Sequence, residues 1–161
     1  MNHHPILLLD GAMGTELRTR GVEVLDHITS IWSAQALLDA PEAVMGVHVD
    51  YIEAGADVIT INNYAVTRPL LARESMEERF TELTTIAAEL GKQARDKAQC
   101  EVQIAGSLPP LETSYRPGEV REDDDILTQY REMAALLEPH VDLLLCETLS
   151  CGREAKAAAT A

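Results

Sequence analysis

Three short aliphatic runs in this chain each end in residues that could do chemistry. Leu7-Leu8-Leu9 ends in Asp10-Gly11, Val58–Ile61 ends in Asn62-Asn63-Tyr64, and Leu143–Cys146 ends in Glu147. A carboxylate at the end of a buried strand is costly unless it is paired or meets a ligand. Asp10 in such a position could hold an ammonium group; it could equally belong to an Asp-Gly turn that caps a helix. Glu147 favours the functional reading, because an apolar strand leads directly into it. Asn62, Asn63 and Tyr64 are either loop polarity or ligand contacts. Gly11 and Gly14 would let the backbone turn tightly and come close to a ligand. As a pair, Asp10 and Glu147 could also serve as acid and base in an unrelated enzyme.

Other chemistries find little support. Gly11-Ala12-Met13-Gly14 is too short for a dinucleotide fingerprint. Cys100, Cys146 and Cys151 are odd in number and lack a C-x-x-C spacing, which suggests neither a disulfide framework nor a zinc site. Cys100 and Cys146 are expected as small buried core residues. His27, His48 and His140 have no metal-ligand spacing, and His48, on an apolar helix stripe, is expected to be a hydrogen-bonded core histidine. Trp32, the only tryptophan, could be simple core packing.

The elements that must position these residues follow from the hydrophobic pattern. Ile6–Leu9, Asp57–Ile61, Val102–Ala105 and Val141–Cys146 are nearly continuous apolar runs, as expected of parallel strands covered on both faces. Amphipathic stretches separate them. Asp39-Ala40-Pro41-Glu42 predicts a helix start with a capping Asp and an early Pro, followed by a stripe of Val44, Val47, His48, Tyr51 and Ile52 and a stop at Gly55. Ser75-Met76-Glu77-Glu78 fits a capping box ahead of Phe80, Leu83, Ala87, Leu90 and Ala94. Ile126, Tyr130, Met133 and Leu137 mark a further helix that Pro139 ends.

The strands recur every roughly 40 to 50 residues, against ~30 for a minimal βαβ unit. The surplus falls after the strands, in Gly11–Thr29, Asn62–Glu74 and Gly106–Arg121, where a parallel barrel builds its site. The pattern therefore predicts an α/β chain of (β/α)8 TIM-barrel type with only about the first four βα units, since a whole barrel takes roughly 200 to 250 residues. The Ala-rich stretch Glu154–Ala161 lacks a C-cap and reads as a fourth helix cut short.

Composition bounds the partners. Of 161 residues 46% are hydrophobic, and no run reaches the ~20 residues of a membrane span. The N-terminus lacks a basic region and a secretory apolar stretch, so a cytoplasmic location is the default. The net charge of −14 argues against nucleic acid, and the acidic run Glu119 to Asp125 is expected to be a solvated helix start.

The ordered set Leu9–Leu17, Trp32-Ser33, Pro41-Glu42, His48, Tyr51, Ala54–Asp57, Thr60–Tyr64, Ala105–Pro110 and Asp142–Thr148 resembles the homocysteine S-methyltransferase family over nearly the whole chain. The resemblance implies a barrel that moves a methyl group from a small donor onto the thiol of homocysteine, giving methionine. A zinc ion held by three cysteines would present that thiol as a thiolate. It implies that Asp10, Gly11 and Glu147 bind the amino-acid part of homocysteine, with Asn63 and Tyr64 lining the site. The family's zinc cysteines have no counterparts here, since Cys100, Cys146 and Cys151 stand at other places. The expectation is the N-terminal part of a homocysteine-binding barrel, residues 1–161, inactive in methyl transfer alone. The rival expectation is a non-catalytic half-barrel that self-associates or pairs with a separate C-terminal half.

Overall fold

A computed structural model describes residues 6–25, 30–121 and 123–161, without the side chains of 123 and 124; His27 lies outside the described residues. Parallel strands β1 (Val58–Thr60), β2 (Gln103–Leu108) and β3 (Leu143–Cys146) form a sheet in the order β1-β2-β3, with Ile59 opposite Ile104 and Gly106 opposite Leu144. The segment 6–10 lies outside β1. It forms a single parallel bridge, Leu9 to Val58, and Asp10 N–H donates to the Val58 carbonyl at 2.9 Å.

The helices are α1 (Met13–Thr19), α2 (Ala36–Asp39), α3 (Pro41–Glu53), α4 (Arg68–Ala72), α5 (Phe80–Ala98), α6 (Asp123–Leu137) and α7 (Gly152–Thr160). Helices α3, α5, α6 and α7 pack side by side in chain order. Their apolar stripes fall where helical periodicity puts them: Phe80, Leu83, Ala87, Leu90 and Ala94 on α5, and Ile126, Tyr130, Met133 and Leu137 on α6, are all buried. Each large aliphatic side chain buried in this way contributes about 1.5–3 kcal/mol.

Local expectations fail where tertiary contacts compete. Asp39 does not cap α3; it closes α2 and accepts from Gln35 Nε2 at 2.8 Å, and Ala40 takes the cap position. Ser75 forms no capping box. It has φ +55, and a 3-10 turn at Glu77–Arg79 leads into α5 instead. Strand β2 runs three residues beyond the expected Ala105, to Leu108.

Only β2 and most of β1 are covered on both faces. Ile6, Leu7, Leu8 and Leu9 are exposed, and β3 alternates between half-buried and exposed residues. Continuous apolarity here marks strands whose outer side has no described partner. Cys100 and Cys146 are accordingly exposed rather than core. His48 is fully buried, yet neither ring nitrogen has a hydrogen-bond partner among the described residues. Burial lowers its pKa to about 4, because an imidazolium there would lose its hydration without compensation. Among the described residues no helix is long and apolar enough to cross a membrane.

Candidate functional site

The C-terminal ends of the strands carry a belt of polar contacts. Thr60 N–H donates to Asp10 Oδ2 (2.8 Å), tying the first segment to β1. Asn63 Nδ2 donates to the Ser107 carbonyl and its Oδ1 accepts from Ser107 N–H, both at 2.9 Å, tying the end of β1 to β2. Ser107 Oγ donates to Glu147 Oε1 (2.6 Å), tying β2 to the end of β3. Parallel strands in register bring their ends to one level, so residues far apart in sequence become neighbours.

Above this belt lies a cleft of about 520 Å³. Asp10, Gly11, Tyr64 and Glu147 line it together. Asn63 does not: its amide is fully buried behind the cleft and is consumed by Ser107. Asp10 caps no helix, since the N-cap of α1 is Ala12 and no side chain bonds there.

Among the described residues three that line the cleft are carboxylates (Asp10, Glu112 and Glu147), and none is Lys, Arg or His. Glu112 is satisfied by Arg73 at 3.4 Å and Arg121 at 2.9 Å. Asp10 and Glu147 have no such cation among the described residues. Burial pushes the Asp10 carboxyl up to about 6; the Thr60 hydrogen bond opposes the shift, and the nearby Glu147 charge adds to it. A cleft with this field favours a cationic group such as an ammonium.

Aromatic side chains also line the cleft. Trp32 and Tyr64 meet edge to face, with ring centroids 6.0 Å apart. The Tyr64 hydroxyl and Ser114 Oγ lie 2.6 Å apart, and burial raises the phenol's pKa above its ordinary value. Gly11 and Gly14, which adjoin this site, are each closely approached by an aromatic side chain. A Cβ at Gly11 would stand 2.6 Å from the Tyr51 hydroxyl oxygen, and one at Gly14 would stand 2.5 Å from the Trp32 ring. Both glycines thus admit a side chain of the protein itself. A paired contact places the Trp32 loop: Ser33 Oγ donates to Asn62 Oδ1 and Asn62 Nδ2 donates to the Ser33 carbonyl, each at 2.8 Å.

Five described non-glycine residues have positive φ, and three of them, Trp32 (+45), Tyr115 (+63) and Thr148 (+54), line the cleft. Such conformations cost of order 1–3 kcal/mol each and collect where the surrounding structure imposes them, often at sites. Sequence reasoning missed Ser107, Ser114 and Trp32 as site residues. Ser107 carried a signal, because it stands at the end of an apolar run as Asp10 and Glu147 do. Trp32 and Ser114 carried none, since only their loops' paths bring them here.

No three described His, Cys, Asp or Glu side chains form a group that could hold a metal ion. Cys100 lies away from the cleft, beside Asp57, Arg95 and Asp142 at the other end of the sheet. The described residues therefore do not fit a zinc centre.

Comparison with known proteins gives a consistent result. The family model described as homocysteine S-methyltransferase matches residues 7–161. Homocysteine S-methyltransferase YbgG of Bacillus subtilis (strain 168) is 33% identical, the match covering 98% of this chain and 54% of that protein. Homocysteine S-methyltransferase of Escherichia coli (strain K12) is 34% identical, with 92% and 52% covered. The crystal structure of the homocysteine methyltransferase MmuM from Escherichia coli in its metallated form superposes with a TM-score of 0.85 at 32% identity, over 99% of this chain and 59% of that one. The chain spans about half the length of the curated relatives it matches. Its fold is of the (β/α)8 TIM-barrel type, represented by about the first four βα units.

Proposed function

Because this chain belongs to the homocysteine S-methyltransferase family, we propose that its cleft is the part of a homocysteine site that holds the amino-acid end of the substrate. The observation that carries this reading is the pair Asp10 and Glu147, two carboxylates in one cleft that no described basic residue lines. The substrate ammonium would sit between them, with Gly11 and Tyr64 closing the sides. Asn63 would act indirectly, by fixing Ser107 so that its hydroxyl orients Glu147.

The reaction proposed for the whole protein breaks the bond between a methyl group and its donor atom and forms a carbon–sulfur bond at the homocysteine thiol. The thiol proton is released and methionine results. This chain's residues would orient the substrate and exclude water from its ammonium. The described residues offer zinc no ligand set, so thiol activation is not assigned to them. Alone, the chain would bind homocysteine without methylating it. The donor belongs to the whole protein, and the Trp32 and Tyr64 faces next to two carboxylates suit one with a positively charged methyl-bearing atom.

A second reading rests on the exposed apolar residues Leu7, Leu8, Leu9 and Leu144 at the two outer sides of the sheet. They favour association with a second copy or with a separate C-terminal half.

Titration calorimetry of the reduced chain with homocysteine tests the main reading. Saturable one-to-one binding is expected, weakened about 30-fold or more in Glu147→Gln, where a charge-assisted contact of about 2–3 kcal/mol is lost. Absence of binding by the wild-type chain at millimolar homocysteine would refute it.

A further inference from the structure

Glu154, in the first turn of α7, is a carboxylate with only 2% of its surface exposed. Its oxygens serve different loops. Ser150 N–H donates to Oε2 at 2.7 Å, within the loop that follows β3 and carries Glu147 and Thr148. Leu111 N–H donates to Oε1 at 3.3 Å, within the loop that follows β2 and carries Thr113, Ser114 and Tyr115. The first bond resembles a helix cap, in which an acidic residue of the first turn reaches back to the amides before it. The second spans 43 residues and has no local explanation.

The Leu111 peptide is held from both sides. Its carbonyl accepts from Thr67 Oγ1 at 2.7 Å, and that hydroxyl also caps α4 by accepting from Leu70 N–H. Just upstream, the buried Tyr130 hydroxyl donates to the Pro109 carbonyl at 2.7 Å and neighbours the Glu154 carboxylate. The loop bearing Ser114 and the loop bearing Glu147 and Thr148, both of which reach Tyr64 in the cleft, therefore also meet at one buried carboxylate behind it.

We propose that Glu154 is a positioning residue for the cleft, a buried carboxylate that sets the spacing between the loop bearing Ser114 and the loop bearing Glu147 by holding an amide of each. It touches no part of the cleft and acts through the Leu111 and Ser150 amides. The inference rests on the reading of the cleft as a homocysteine site only for its functional consequence.

The test is Glu154→Gln in the full chain. Glutamine keeps the shape, but its one carbonyl oxygen can accept only one of the two amides, and its NH2 group opposes the other. Amide hydrogen exchange at Leu111 and Ser150 is expected to accelerate together by about tenfold or more, and homocysteine affinity to fall about tenfold at a temperature well below unfolding. Leu83→Ala on α5, outside the residues that line the cleft, is expected to cost comparable or more thermal stability and to leave the affinity unchanged; an equal loss of affinity there would reduce Glu154 to a merely structural role and overturn the proposal.

Faster exchange at Ser150 alone with unchanged affinity would reduce Glu154 to a helix cap and overturn the proposal. Wild-type rates at both amides would overturn it as well. Failure of the wild-type chain to bind homocysteine would sink the functional reading, while joint loosening of the two amides would still support the tie between the loops. Should the variant not fold, exchange in the wild-type chain decides: similar protection at Leu111 and Ser150 supports one shared carboxylate, and protection differing by orders of magnitude refutes it.

Discussion

The two ends of the sheet use the same device with different outcomes. At the C-terminal end Asp10 accepts the Thr60 amide of the neighbouring strand. At the N-terminal end Asp57 accepts the Leu8 amide and Asp142 the Ile104 amide, each at 2.8 Å. Asp142 is exposed and has a cation of its own, Arg95 at 3.0 Å. Asp10 is half-buried and pairs with no cation among the described residues; burial, with the nearby Glu147 charge adding to it, pushes its carboxyl up to about 6. Asp142, which bridges strands at the N-terminal end, is electrostatically finished. Asp10, at the C-terminal end, is left above its pKa with charge that a cationic ligand would neutralise.

The largest effect should come from exchanging the acids for amides. Asp10→Asn keeps an acceptor for Thr60 but removes the charge, and should weaken homocysteine binding about 30-fold or more. Asp142→Asn should leave it within about twofold, as measured by calorimetry under the same conditions. Equal losses would erase the distinction between the two ends.

The pH dependence should sharpen it. An ammonium favours the ionised Asp10, so affinity should rise with pH through about 6 and level off above, and the rise should vanish in Asp10→Asn. For stability the sign is reversed. The raised Asp10 pKa stabilises the fold most below its unfolded value of 3.8, and that contribution is lost as pH rises through about 6. His48 works the other way: its pKa falls from 6.5 to about 4, so its contribution is present above 6.5 and is lost as pH falls towards 4. Thermal unfolding of His48→Leu should lose less stability than the wild type between neutral and acidic pH.

The smallest effect is the cost of the paired end. Asp142→Asn should lower stability by no more than about 1 kcal/mol in a denaturant titration, because an exposed ion pair contributes little.

Much of this was legible in the sequence because it depends on local period. Apolar recurrence at Phe80, Leu83, Ala87, Leu90 and Ala94 marks one face of a helix whatever it packs against. Val58–Thr60 and Leu143–Cys146 are strands by the same logic, and polar residues directly after them had to emerge at the strand ends. That placed Asp10, Tyr64 and Glu147 at one end of the sheet before any contact was known. Asp39 and Ser75 misled for a related reason: capping propensity is local and weak, and each backbone path was set by packing instead.

What the sequence could not supply is who meets whom. Asp10 and Thr60 are 50 residues apart, Asn63 and Ser107 are 44 apart, and Ser107 and Glu147 are 40 apart. Their contacts depend on the register of parallel strands joined by long crossovers, which no local pattern encodes. The same holds for Trp32, carried over Gly14 by its loop, and for Glu154, whose carboxylate is shared between two loops only once α7 has docked. The sequence by itself determined the elements and the chemistry at their ends, because both follow from side-chain period and type. Only the tertiary structure decided that Asn63 supports the cleft from behind while Asp10 and Glu147 face into it, because facing is a property of register and packing.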